Sequence, residues 1–263
     1  MEPKPAGWSE RYGAVFARRE VVDHYHLRPP YPEETVDVLA GLAHGGVVLD
    51  VGCGIGELSR RLAPRVERVD AVDVSEPMVE RGRALPGGDA SNLRWFVGRV
   101  ETVALDGPYA LALAGDSIHW LDWEVALPRL AGELTDDGVL AIVRRDYFRE
   151  ERLRERLKPV YRRHSWNTEF RPLDPVDELE RRGLFVRSGE HTAAPVPWHP
   201  TLADIVDVHY SMSACARSEL ADPDAFESQV RDAVEQTLEA RDGRYDLEVR
   251  AAVVWGRPLA STR

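Results

Sequence analysis

Cysteine, lysine and long apolar runs are what this sequence has least of. Its 263 residues include two cysteines, Cys53 and Cys215. Such a sparse pair does not form a disulfide framework or a metal cluster, both of which need denser spacing. Lys4 and Lys158 are the only lysines, so the positive charge rests almost wholly on arginine; no function is attached to that bias. No apolar run approaches the ~20 residues that cross a bilayer. The opening MEPKPAGWSE lacks the charged-then-apolar pattern of a secretory signal, so a cytoplasmic location is expected, with no membrane partner. A net charge of -11 leaves no concentrated basic surface for phosphates, and nucleic acid is not an expected partner. His24, His26, His191 and His199 have no ligand spacing, and no metal is expected.

What is present is an ordinary globular composition, 43% hydrophobic and 30% charged, in a chain long enough for one core with an attached lid. A single domain over 1–263 is expected, with 1–34 as an N-terminal covering segment and 35–143 as the core. Residues 144–243 are expected to be lid and sheet completion, and 244–263 the last strand and tail. From about Thr35 to Val143, short apolar runs alternate with amphipathic stretches, the βαβ signature of a parallel sheet. Strands are expected at 47–51, 69–74, 93–97, 109–114 and 139–143. A helix should open at Pro32 and end at Gly45-Gly46, another should run from about Glu57 to Ala63 and stop at Pro64, and Ser75 should cap a third. The helix from Asp122 holds Pro128, which predicts a kink or a late start. Arg144–His164 reads as one charged amphipathic helix. Beyond it, helices are expected near 174–183, 202–214 and 223–241, and a closing strand over 245–255.

The sharpest motif is Val48-Leu49-Asp50-Val51-Gly52-Cys53-Gly54-Ile55-Gly56, at the end of the first strand and opening a helix. Glycines there let the backbone approach a ligand and adopt φ > 0. The spacing is G-x-G-x-G. A dinucleotide fingerprint needs a glycine at position 57, where Glu57 stands and would repel a pyrophosphate. Asp73 ends the second strand, where a carboxylate can accept both hydrogen bonds of a ribose diol. Together these motifs favour an adenosyl ligand over NAD.

Asp50 to Gly56, then Ala71-Val72-Asp73-Val74-Ser75-Glu76-Pro77-Met78, resemble the class I S-adenosylmethionine-dependent methyltransferases. Gly98-Arg99-Val100-Glu101 and Leu134 to Leu140 fit the same family. The similarity runs from about Tyr25 to Val143. Arg28-Pro29-Pro30-Tyr31-Pro32 and His119-Trp120 bring it nearest the small-molecule branch resembling trans-aconitate methyltransferases. The resemblance implies a Rossmann-like, doubly wound, mostly parallel seven-stranded sheet with a helical lid inserted after the fifth strand. It implies S-adenosylmethionine as cofactor, with Asp50 and Gly52 lining the methionine part and Gly54 and Gly56 shaping the turn. Asp73 would hold the ribose with Val74 beside it, Met78 would pack on the adenine, and Val100 and Glu101 would flank its edge. Tyr12, Tyr25 and Arg28 either reach the methionine carboxylate or anchor the N-terminal segment. Asp116-Ser117 departs from the family pattern; Asp116 is placed with the cofactor-binding set, its role open.

Methyl transfer from a sulfonium needs alignment and exclusion of water more than acid–base groups. A base is required only where the acceptor must lose a proton. His119, after the fourth strand, is the candidate base, with a structural histidine as the plainer reading. Trp120, Arg144 and Tyr210 are candidate acceptor contacts. Arg144 and Arg145 end the fifth strand, and an arginine there would suit an acidic acceptor. His164, Trp166 and His209 lie in the variable region and read as plain structure or pocket lining. The acceptor class expected is a small molecule methylated on oxygen, carbon or nitrogen, with natural-product chemistry one setting. The alternative is a fold relative that keeps the cofactor structurally or uses it for a non-methylating reaction such as a cyclisation. The oligomeric state is not legible.

Overall fold

The computed structural model describes residues 4–259, which divide into two compact units. One contains Tyr31–Arg145, Pro172–Ala194 and the chain from Ala251 onward. It is built on seven strands: β1 (Val47–Val51), β2 (Arg68–Asp73), β3 (Leu93–Val97), β4 (Tyr109–Gly115), β5 (Leu134–Asp146), β6 (Phe185–Thr192) and β7 (Leu247–Pro258). Their order is β3-β2-β1-β4-β5-β7-β6. β1 pairs in parallel with β2 and β4, β2 with β3, and β4 with β5, whereas β7 runs antiparallel to β6. The chain winds one way from β1 to β2 and β3 and the other way to β4, which puts a topological switch point at the carboxyl ends of β1 and β4. In open α/β sheets that switch point is where ligands bind.

β1 is Val-Val-Leu-Asp-Val, buried from its second residue on, as a parallel strand covered on both faces must be. Helix α1 (Glu33–Ala43) follows Pro32 with two glutamates in its first turn and buries Val36, Leu39 and Ala43 against Val48 and Leu111. It ends at His44, itself left-handed at φ 50, one residue before the expected glycines. Helix α2 (Glu57–Leu62) begins straight after the glycine turn, and α3 (Glu76–Arg83) is capped by Ser75, whose hydroxyl accepts from the Met78 N–H at 3.2 Å. Helix α4 (Trp123–Glu133) starts at once after Asp122 and carries Pro128 within it, so the expected late start does not occur. β5 begins at Leu134, well before Val139. It passes the Asp136-Asp137-Gly138 turn through a register shift between Tyr109 and Leu111 of its neighbour.

The other unit gathers the chain up to Pro30, Asp146–Arg171 and Pro195–Arg250. Here the expected helix from Arg144 is corrected. Strand β5 continues through Asp146, and helix α5 covers Glu151–His164, started by a Glu150 cap that accepts from the Leu153 N–H. The expected 202–214 helix is Leu202–Tyr210 followed by a separate short turn, and the expected 223–241 helix stops at Glu235. An eighth short strand, Val196–Trp198, pairs with Leu247–Val249, an addition to the expected seven. This unit has its own apolar core around Leu153, Leu157, Ile205, Phe226 and Val230.

Candidate functional site

The glycine turn leaves β1 at Val51 and is sewn to the neighbouring strand, Gly52 and Cys53 both donating to the Val72 carbonyl at 2.8 and 3.1 Å. Gly52 has φ +66, and a Cβ there would stand 2.6 Å from the Ser117 Cβ. Gly56 has φ +67, and a Cβ would meet the Trp95 ring at 2.2 Å. Both positions exclude any side chain, for space as well as for backbone conformation. Gly54 also has positive φ.

Asp73 knits the two sequence motifs together. One carboxylate oxygen accepts from the Gly54 N–H at 2.7 Å, the other from the Ser75 N–H at 2.8 Å. Each oxygen keeps a further lone pair for a diol, so the residue fits the ribose role. Burial pushes its carboxyl upward, while the bonds from Ser75 and Gly54 oppose this. Asp50 is buried one strand over and accepts from the Ser59 hydroxyl. Burial raises it to about 7, against the Ser59 bond and helped by the charge of Asp73. Desolvation and then the charges of Asp73 and Asp50 push the Cys53 thiol up. Val74, 59% exposed, and Val97, which pairs with Asp73 across the β2–β3 ladder, present an apolar edge next to this carboxylate. Met78 is 1% exposed and belongs to the core, as does Val100. Glu101 accepts from the Asp122 N–H at 2.8 Å and so holds the start of α4.

The turn after β4 holds the candidate base. Asp116 is left-handed at φ 53, a rare state for a residue with a side chain. Its carboxylate accepts from the Tyr31 hydroxyl at 2.8 Å and from the Arg145 N–H at 3.1 Å. Ser117 donates to the Val51 carbonyl. His119 and Trp120 lie half-buried on a single 3-10 turn with ring centroids 4.5 Å apart. Trp123 fixes that turn by donating to the Ile118 carbonyl at 2.7 Å.

The two arginines ending β5 part company, as successive strand residues must. Arg144 is half-exposed and pairs with Asp174 at 2.6 Å. The Arg145 side chain is buried, donates to Glu57 at 2.9 Å and stacks over the Tyr31 ring at 4.2 Å. Sequence reasoning missed Tyr31, Glu57 and Arg145 as a group. Glu57 was legible only as a residue hostile to pyrophosphate, and nothing in the sequence says which arginine faces inward.

The remaining candidates lie in the other unit. Arg28 donates to the Ser211 hydroxyl at 2.9 Å and to the Tyr25 hydroxyl at 3.3 Å, and stacks over the Tyr25 ring. Tyr12 is buried and donates to Glu169. Tyr210 is buried, its hydroxyl between Arg217 and Glu227, and burial pushes it up to about 12. His209 is fully buried between Tyr161 and the Ile205 carbonyl, and burial lowers it to about 4, so it is neutral. These contacts anchor the residues within their own unit. Among the described residues no group of three or more His, Cys, Asp or Glu is placed to hold a metal, and no helix is long and apolar enough to cross a membrane.

Residues 48–138 match the family model of a methyltransferase domain. An uncharacterized methyltransferase of Mycobacterium tuberculosis is 36% identical over 98 residues, 36% of this chain and 49% of that protein. A second from the same organism is 38% identical over 118 residues, 44% of this chain and 46% of that protein. The chain thus spans about half the length of these curated relatives. A Salmonella typhimurium protein named malonyl-[acyl-carrier protein] O-methyltransferase is 27% identical over 190 residues, 70% of this chain and 72% of its own length. Among solved structures, a candidate type II methyltransferase of Anaeromyxobacter dehalogenans superposes with a TM-score of 0.62 at 22% identity, covering 88% of this chain and 97% of that one. At that identity the likeness speaks for the fold.

Proposed function

This chain carries a class I methyltransferase domain, and on that premise we propose that it transfers a methyl group from S-adenosylmethionine to a small-molecule acceptor. The observation that carries the reading is Asp73, whose carboxylate joins the glycine turn to the end of β2 through Gly54 and Ser75. S-adenosylmethionine, when bound, supplies a methyl group on a positively charged sulfur that needs no further activation. Asp73 then accepts the ribose hydroxyls, and the exposed edge of Val74 and Val97 takes the flat adenine. The buried negative charge of Asp50 and Asp73 favours a cationic ligand over an anionic one, which separates this site from a pyrophosphate site.

The acceptor class decides whether His119 acts. A hydroxyl or carbon acceptor must lose a proton and needs a base, whereas a carboxylate attacks as it stands. The relative named for O-methylation of a carrier-bound malonyl group makes small carboxylic acids the first acceptors to screen. With such an acceptor, His119→Ala changes turnover little; with a phenol or carbon acid it lowers turnover by about 100-fold or more while leaving donor affinity intact. Equal loss of both makes His119 a structural residue.

Calorimetric titration with S-adenosylmethionine, S-adenosylhomocysteine and NAD in parallel tests the reading. Binding of the two adenosyl ligands alone supports it, and labelled methyl transfer to a panel of acids, phenols and amines then identifies the acceptor class. Binding of NAD alone, or of none, overturns it.

A further inference from the structure

Arg145 is no part of the donor motifs, yet its side chain is 2% exposed at the carboxyl edge of the sheet. Three segments meet on it. Its guanidinium donates to Glu57 Oε2 at 2.9 Å and lies 3.7 Å from Asp116 Oδ2, while its backbone N–H reaches Asp116 Oδ1 at 3.1 Å. The Tyr31 ring lies beneath it at 4.2 Å. Tyr31 closes the circuit, donating its hydroxyl to Asp116 at 2.8 Å and its N–H to Glu57 Oε1 at 2.6 Å. Arg61 joins from the outer side, reaching the Tyr31 carbonyl at 2.7 Å and Glu57 at 3.6 Å.

The two carboxylates are not arbitrary partners. Glu57 is the first residue after the glycine turn, so fixing it fixes the start of α2 and the exit of that turn. Asp116 is the first residue after β4, and its left-handed backbone sets the direction of the turn that carries His119. A conformation of that kind is costly and persists only where its surroundings over-determine it. Two hydrogen bonds to the Asp116 carboxylate do so here, from the Tyr31 hydroxyl and from the Arg145 backbone N–H, and the Arg145 guanidinium 3.7 Å away adds its charge. A buried ion pair brings little net stability over apolar packing of the same volume, so stability alone is a weak account of this one.

We propose that Arg145 is a positioning residue: by holding Glu57 and Asp116 at once, it locks the donor-side glycine turn and the turn bearing His119 into one alignment. This rests on the methyl-transfer reading for its purpose, but the lock itself is measurable without ligand or turnover. Amide hydrogen exchange is compared in the wild type, Arg145→Gln, Arg145→Lys and Arg187→Gln, the last altering an exposed arginine on edge strand β6. Arg145→Gln speeds exchange at least tenfold over 52–57 and 116–120 together, with α1 and β2 at wild-type rates. Arg145→Lys, which keeps charge but loses the planar stack on Tyr31, falls between, and Arg187→Gln matches the wild type. Loosening of one turn alone, of the whole sheet, or of neither overturns the proposal.

Should Arg145→Gln fold poorly, Glu57→Gln gives the same test from the other side. The double variant then loosens 52–57 by less than the sum of the two single changes, because they share the Arg145–Glu57 pair. In a second arm, S-adenosylhomocysteine affinity falls about tenfold in Arg145→Gln and recovers in part in Arg145→Lys. Wild-type protein that binds no adenosyl ligand sinks the methyl-transfer reading, while the exchange data still decide the lock.

Discussion

Strand β2 bears two buried aspartates three residues apart, and they live in opposite circumstances. Asp70, nearer the amino end, is wholly buried and gripped by Arg94 through two bonds of 2.7 Å. Arg68 at 3.2 Å and the Tyr109 hydroxyl at 2.9 Å complete its shell. Asp73, at the carboxyl end, is held by two backbone N–H groups, and no ion pair to it occurs among the described residues. Burial raises its carboxyl, and its charge helps to raise that of Asp50. One half of the strand is electrostatically finished. The other keeps a carboxylate with no cationic partner among the described residues, at the kind of switch point where ligands bind in open α/β sheets. Residue type does not separate structure from site on this strand; the presence or absence of a cation does.

Removing each carboxylate in turn tests that contrast. Asp73→Ala is the largest effect: loss of two charge-assisted bonds, about 1.5–3 kcal/mol each, weakens S-adenosylhomocysteine binding by roughly 100-fold or more. Unfolding temperature falls as well, since the buried Gly54 and Ser75 N–H groups lose their acceptor, but no cation is orphaned and the loss of affinity is the distinguishing effect. Calorimetry and a thermal melt on one preparation read both quantities, and unchanged affinity removes the ribose assignment. Asp70→Ala is the mirror case. It strands Arg94 and Arg68 and costs about 3 kcal/mol of stability, lowering the midpoint by roughly 6–12 °C. Affinity per folded molecule stays within about twofold. If Asp70→Ala instead costs affinity on the scale of Asp73→Ala, the two ends of the strand are not functionally distinct.

How much of this was legible depends on how local the information is. The parallel core was, because β-branched runs such as Val47–Val51 and caps such as Ser75 act within a few residues. The geometry of the glycine turn and of Asp73 was, because each is tied to a strand end. The Tyr31–Glu57–Asp116–Arg145 circuit was not, since its members lie up to 114 residues apart and meet only through the strand order. Arg145 and Arg144 are equivalent in composition and differ only in which face of β5 they occupy. The helix expected from Arg144 failed for a related reason: the charged periodicity ran on into β5, whose pairing with β4 overrides local preference as far as Val143. His119 also stays undecided in sequence terms, because a base and a supporting histidine place the same residue on the same turn.

The smallest effect concerns protons. Burial pushes Asp50 up to about 7, against about 3.9 in an unfolded chain. Between those values the folded protein holds the proton more tightly, so this group's contribution to stability falls as pH rises from about 4 to 7 and is level above. A cationic ligand beside Asp50 and Asp73 favours their ionised forms, so binding expels a fraction of a proton and affinity rises several-fold from pH 6 to pH 8. Titrations with S-adenosylmethionine in buffers of low and high ionisation heat measure that release directly. Asp50→Asn should abolish most of it, and its stability relative to the wild type should rise from about pH 4 to about pH 7 and level off above. Proton uptake on binding has the wrong sign for this arrangement. It would mean that the carboxyl edge does not carry the unneutralised charge that sets it apart from Asp70.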